Sequence, residues 1–254
     1  MKENLIIALG DSYTYGHGAY DAESLAKFNQ HKNMGQLHQD ARQHMMENSW
    51  PAQLGQMIDY DVINMGQGGS ANSAHAKWLI NSKRGDILNA GTQYKNVIVV
   101  WLLSDPWRYS LYSSHKLARD NILNIHTRAV IDGVINHGAD IKQFADIKQF
   151  AELYFQLAST ESCKTDTVFY IKAVENYCAV NGYKFLFGNA FSYEKYYYNS
   201  PSDLHANRPY QSMRDFLLHD DKNCMSKVCK HPNAMGYQLI AKELREILLE
   251  RAWI

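Results

Sequence analysis

Four short stretches of the chain hold residue types suited to acyl transfer. Gly10-Asp11-Ser12 places a serine directly after the apolar run at residues 5–9. A serine hydroxyl is a poor nucleophile until a neighbouring base takes its proton and N–H donors hold the developing oxyanion. At the end of a buried strand its oxygen would be exposed and its backbone N–H would be a donor. The plainer reading of Ser12 alone is a helix cap. Gly66-Gln67-Gly68-Gly69 is a turn where backbone can approach a ligand closely, and an N–H of Gly68-Gly69 could give a second donor. An ordinary tight turn is the plainer alternative. His231, one of eleven histidines, precedes Pro232 and is the candidate base. Ser104-Asp105 follows a second apolar run, with Trp107 and Arg108 just beyond. Asp11, Asp105, Trp107 and Arg108 are candidate pocket residues. Surface packing is an equal alternative for Trp107 and Arg108.

The elements around these stretches suggest how they meet. Residues 4–9, 61–64, 96–103 and 183–188 read as buried strands, and 215–218 as a short fifth. Residues 51–58 read as a helix, with Asn48 or Ser49 as its cap and Pro51 in its first turn. Ser70 or Asn72 can cap a helix running to about residue 83. Residues 115–136 and 141–182 are helical by pattern, with Gly138 and Gly182 as stops. A last helix spans 232–250, with Pro232 in its first turn. Strands alternating with helices predict an α/β fold in three layers, α/β/α, around a parallel sheet of about five strands. Chemistry in such folds gathers at the carboxyl ends of the strands, where the candidate stretches fall. The chain reads as a single domain over 1–254, with insertions at 20–47 and 192–230. The hexapeptide ADIKQF occurs twice in succession, at 139–144 and 145–150. That is a local duplication and not a solenoid. The tyrosines at 196–198 could line an aromatic surface, though loop packing explains them as well.

Composition narrows the functional classes. Lys+Arg and Asp+Glu balance at 26 each, so no basic field argues for nucleic-acid binding. No apolar run approaches membrane-spanning length, and the first residues lack a signal-peptide core. A cytoplasmic location is the expectation. Four cysteines in 254 residues are too few for a disulfide scaffold, although a Cys224–Cys229 bridge is conceivable.

The ordered motifs resemble the SGNH (GDSL-like) hydrolase family. Gly10-Asp11-Ser12-Tyr13-Thr14-Tyr15-Gly16 resembles its nucleophile block. Asn64-Met65-Gly66-Gln67-Gly68-Gly69 resembles the second block, with Gly69 at the oxyanion glycine. Leu103-Ser104-Asp105 falls where the third block belongs. His231-Pro232-Asn233-Ala234-Met235-Gly236-Tyr237 resembles the last block, whose histidine is the base. The resemblance implies a flavodoxin-like fold and a serine esterase with Ser12 as nucleophile and His231 as base. It further implies an oxyanion hole from the N–H groups of Ser12 and Gly69, and neither metal nor organic cofactor. The expected partner is a small ester, an O-acetylated carbohydrate among the candidates.

Two positions depart from the family pattern. Its oxyanion asparagine is Ser104 here, with one proton and a shorter reach. Its aspartate three residues before the histidine is Val228. Asp221, Asp220 and Asp215 are then the candidates to orient His231, alongside a backbone carbonyl. These departures motivate a second reading, a catalytically impaired ligand-binding protein on the same fold. A third reading, a zinc site on Cys224, Cys229, His231 and His219, has poor ligand spacing.

Overall fold

The computed structural model describes residues 2–19, 34–82, 85–112, 122–126, 149, 152–154, 156–190, 200–220, 224–225 and 231–254. Both ADIKQF copies except Gln149, the tyrosines at 196–198, Asp221, Val228 and Cys229 lie outside them. So do Gly138 and most of the stretch 115–136.

Four strands form one parallel sheet in the order β2-β1-β3-β6. They are β1 (Lys2–Gly10), β2 (Asp61–Asn64), β3 (Tyr94–Leu103) and β6 (Lys184–Asn189). This is the order of a flavodoxin-like doubly wound sheet. The continuous apolar runs explain it. Leu5 to Leu9 and Ile98 to Leu102 are almost wholly buried, as strands covered on both faces must be. Ile6, Ala8, Ile98, Val100 and Leu102 share one face and Leu5, Ile7, Leu9, Val99 and Trp101 the other.

Helices cover both faces. On the first lie α3 (Trp50–Ile58), α6 (Met213–Asp220) and α7 (Ala234–Glu250), through Trp50, Leu54, Leu217, Ile240 and Leu244. On the second lie α4 (Asn72–Ile80) and α5 (Thr160–Val180), through Leu79, Ile171 and Val174. α1 (Ser12–Tyr15) is a single turn directly after β1, and α2 (Met34–Glu47) occupies part of the first insertion. The long α5 starts at a capping box between Ser159 and Ser162 and stops before Gly182, at φ +69°. No helix among the described residues is long and apolar enough to cross a membrane.

Several expectations need correction. Residues 215–218 are helical, within α6, and not a strand; the described sheet has four strands. Ser212 decides this locally: its Oγ accepts the Asp215 N–H at 3.0 Å and its carbonyl the Phe216 N–H. Residues 122–126 form strand β5 (Ile122–His126), antiparallel to β4 (Arg108–Tyr112), where a helix was expected. Pro232 lies before the last helix and not in its first turn, because Asn233 caps it by accepting the Gly236 N–H at 3.0 Å. The helix after the Gly68-Gly69 turn begins at Asn72, with Ala71 in the capping position, so neither Ser70 nor Asn72 is the cap.

Candidate active site

The carboxyl ends of β1, β2 and β3 converge with the loop before α7. Asp11 caps α1, its Oδ1 accepting the Tyr13 N–H at 3.0 Å. Ser12 is therefore the first helical residue, and the capping role falls to its neighbour. His231, 219 positions away in sequence, brings Nε2 to 2.8 Å from Ser12 Oγ. Its loop is tethered from below: the Asn233 N–H donates to the Cys224 carbonyl at 2.8 Å, and Met225 bridges Pro232. Cys224 in turn donates its S–H to the Leu217 carbonyl at 3.2 Å. The His231 ring packs beside Tyr13 and His17, at centroid distances of 5.7 and 5.5 Å.

The second turn is locked to the first. Asn64 donates to the Thr14 carbonyl at 2.9 Å and accepts the Gly66 N–H at 2.8 Å. Gly66 must be glycine, since a Cβ there would lie 2.4 Å from the Tyr15 nitrogen. Gly69 has φ +76°, a left-handed conformation that turns its backbone away from the helix that follows. Among the described residues neither the Ser12 nor the Gly69 N–H donates to another protein group. An oxyanion hole requires free N–H donors of this kind close to the nucleophile.

Behind this turn runs a buried relay that sequence reasoning missed. Trp101 Nε1 donates to His75 Nδ1 at 3.2 Å. An indole N–H only donates, so Nδ1 is the acceptor and Nε2 carries the His75 proton. Nε2 then donates to Ser70 Oγ at 2.5 Å, and Ser70 donates to the Gln67 carbonyl at 2.6 Å. Burial foremost, and the Arg108 charge after it, lower the His75 pKa to about 3, so the ring is neutral. The only sequence signal was an apolar-face histidine four residues after Ala71. Trp101→Phe removes the donor and strands a buried acceptor, so we expect a loss of about 1–3 kcal/mol. Urea midpoints would measure it, and an unchanged midpoint would show that the relay does not hold the turn.

Ser104 ends β3 as expected, but its hydroxyl is turned inward. It is 2% exposed, with Oγ 2.9 Å from the Ser70 carbonyl and 3.2 Å from Asn72 Oδ1. Its single proton is thus spent behind the turn. The Ser104 N–H also donates to Asn72 Oδ1, at 2.8 Å, and Asn72 donates back to the Ser104 carbonyl at 3.0 Å. Asp105 shapes the next turn by accepting the Trp107 N–H at 2.9 Å and, through its carbonyl, the Arg108 N–H at 3.1 Å. That turn carries Arg108 back over β1, where Nη1 meets Asp11 Oδ2 at 2.5 Å. Burial pushes the Asp11 carboxyl upward, and Arg108 is the strongest of the influences pulling it back, ahead of the Tyr13 N–H and His231.

Asp215 lies in the first turn of α6, its charge acts on His205, and no interaction joins it to His231. Asp221 and the Asp220 side chain fall outside the described residues. No group of three or more His, Cys, Asp or Glu that could hold a metal occurs among the described residues, and Cys229 is not one of them.

No family model matches the chain, and no curated protein matches it. Solved structures do. The chain is similar to a member of the lipolytic protein G-D-S-L family from Veillonella parvula DSM 2008, at 12% identity over 97% of this chain and 98% of that one, with a TM-score of 0.37. It is similar to the lipase/acylhydrolase from Enterococcus faecalis, at 12% identity over 99% and 97%, TM-score 0.34. It is also similar to an acetyl xylan esterase (Est2A) from Butyrivibrio proteoclasticus, at 10% identity over 100% of this chain and 66% of that one, TM-score 0.36.

Proposed function

We propose that this chain is a serine ester hydrolase of the SGNH type, acting through an acyl-enzyme on Ser12. The observation that carries the reading is the 2.8 Å approach of His231 Nε2 to Ser12 Oγ across 219 positions of sequence. That is hydrogen-bond reach for a nucleophile and its base. Ser12 Oγ attacks the ester carbonyl carbon while its proton moves to His231 Nε2. The carbonyl electron pair collapses onto oxygen, which the Ser12 and Gly69 N–H groups stabilise. His231 returns the proton to the departing alcohol, then activates water to release the acid. His17 assists by staying neutral: burial first, then the His231 charge, lower its pKa to about 4. A neutral neighbour does not oppose the imidazolium that forms during the reaction.

The substrate reading is a short acyl ester, with an O-acetyl group on a carbohydrate as the leading candidate. Ser12 is only 4% exposed, and His17 walls the Gly68 turn so closely that a Cβ on Gly68 would lie 2.8 Å from its ring. Such a site favours acyl groups of a few carbons. Trp107, partly exposed in the turn after β3, is the candidate aromatic face for a sugar. The inward-turned hydroxyl of Ser104 favours the second reading, a ligand-binding protein that has lost turnover.

A fluorophosphonate probe separates the two. Labelling of the intact protein at Ser12, absent in Ser12→Ala, together with turnover of p-nitrophenyl acetate, is the expected result. Neither labelling nor turnover would leave the binding protein as the reading.

A further inference from the structure

We infer that Tyr237 is a positioning residue for the second half of the reaction, holding His231 over Ser12 when no hydrogen bond joins the two. The inference rests on the esterase reading above. Tyr237 is wholly buried in the first turn of α7. Its hydroxyl oxygen lies 2.7 Å from the His17 carbonyl and 3.3 Å from the carbonyl of Ser12 itself. A phenol has one proton, so the closer carbonyl takes most of it and the Ser12 carbonyl shares it. The same Ser12 carbonyl accepts the N–H groups of Gly16 and His17, at 3.2 and 3.0 Å. Tyr237 thus grips both ends of the turn that presents the nucleophile.

The grip comes from the segment that carries the base. The Tyr237 N–H donates to the Asn233 carbonyl at 3.0 Å, and the Asn233 side chain accepts the Gly236 N–H at 3.0 Å. Asn233 is two residues after His231, and its own N–H is held by the Cys224 carbonyl. His231 and the Tyr237 hydroxyl are therefore two arms of one helix start, and both reach the Ser12 turn. The first arm is consumed by the chemistry. After acylation Ser12 Oγ is an ester oxygen without a proton, and His231 has given its proton to the departing alcohol. Nε2 and Oγ then face each other with lone pairs only, and no hydrogen bond can form between them. The Tyr237 bonds to main-chain carbonyls involve no reacting atom, so they persist. They keep Nε2 beside the acyl group while water enters. A water proton passes to Nε2 as the water oxygen bonds to the acyl carbon. The tetrahedral intermediate then expels Ser12 Oγ, which takes that proton back from Nε2. A base misplaced by about 1 Å at this step costs on the order of 100-fold.

The experiment compares the intact protein, Tyr237→Phe and Tyr94→Phe on p-nitrophenyl acetate. Nitrophenol leaves readily, so kcat on this ester reports release of the acetyl group, whereas kcat/KM reports acylation. Tyr94 is the control: its hydroxyl donates to Asp61 Oδ2 at 2.7 Å, at the amino ends of β3 and β2, away from the site. Tyr237→Phe is expected to lower kcat about 10- to 100-fold, with KM falling alongside and kcat/KM within threefold of the intact protein. Decay of the isolated acetyl-enzyme, followed by intact mass, should slow by the same factor as kcat. Rates are taken per site titrated with fluorophosphonate, which removes any misfolded fraction. Tyr94→Phe should match the intact protein in every rate, even where its melting temperature falls. An unchanged kcat in Tyr237→Phe, or kcat and kcat/KM lowered by one common factor, overturns the role of Tyr237. So does acetyl-enzyme decay slowed equally in Tyr94→Phe. An intact protein that neither labels nor turns over overturns the esterase reading and this inference together.

Discussion

Ser12→Ala and His231→Ala are each expected to lower kcat on p-nitrophenyl acetate by several orders of magnitude, approaching about a millionfold, and the double variant by no more than either single one. The reason is that the two side chains act as one device. Without His231 at 2.8 Å, the Ser12 hydroxyl keeps its proton and is a weak nucleophile. Without Ser12, His231 has no proton to accept in the first step. What survives in all three variants is ground-state binding and the backbone donors at Ser12 and Gly69, so a residual rate above water is expected. KM should change little, because neither side chain is asked to bind the ester before attack. Circular dichroism and melting temperature should stay close to those of the intact protein. Additive losses would show that the serine and the histidine serve separate steps, and the acyl-enzyme mechanism would fall.

The second large effect concerns acid. Three histidines are held neutral in the folded protein, chiefly by burial, from an ordinary 6.5 down to about 4 for His17, about 3 for His75 and about 4 for His205. The unfolded chain takes up these protons near pH 6.5 and the folded chain does not until about 4 or below. The unfolded state therefore binds more protons throughout that window, and stability falls as pH falls. Each histidine contributes a slope of up to about 1.4 kcal/mol per pH unit there. Asp11 works in the opposite sense. Its raised pKa lets the folded state bind a proton sooner than the unfolded one, which returns some stability below its folded value. Above pH 6.5 these histidines should make stability flat. Urea titrations at half-unit steps from pH 7.5 to 4.5 would measure this, with His75→Gln as the comparison. A non-titrating residue at 75 should flatten the slope by about 1.4 kcal/mol per unit. An identical slope in that variant would mean that His75 is protonated in the folded protein.

The fold was legible where burial leaves an unambiguous mark. Residues 96–103 are apolar almost without interruption because β3 is covered on both faces, and no other element writes that pattern so plainly. Residues 215–218 misled for a physical reason: a short run of apolar residues fits a strand and one face of a helix equally. Ser212, three residues before Asp215, was the available signal, since a serine followed by an acid at that spacing begins a helix. β4 and β5 were illegible because their partners are each other and not the core sheet.

For the site, Ser12 and His231, which meet at 2.8 Å, each carried a signal in its own segment: a Gly-Asp-Ser turn after an apolar run and a His-Pro before the last helix. Ser104 was placed correctly at the end of β3, but the direction of its hydroxyl depends on Asn72 and Ser70, which approach it from another turn. The Asp11–Arg108 pair and the Trp101–His75–Ser70 relay could not be read at all. Each joins residues far apart in sequence, and nothing in either local segment requires the other.

The sheet order has a kinetic consequence. β1 lies inside the sheet, yet both of its partners, β2 and β3, come much later in the chain, and all its pairings are parallel. No hairpin can nucleate such a strand, so long loops must close before its first contacts are rewarded. The histidine joins last in this hierarchy, since it depends on the docking of α7 against α3 and on the tether at Cys224. Partly folded chains that already hold Ser12 in its turn would remain chemically silent. The Ser12–His231 pair joins residues 219 positions apart, so it exists only once contacts from both ends of the chain have formed, and reactivity itself would report completed folding.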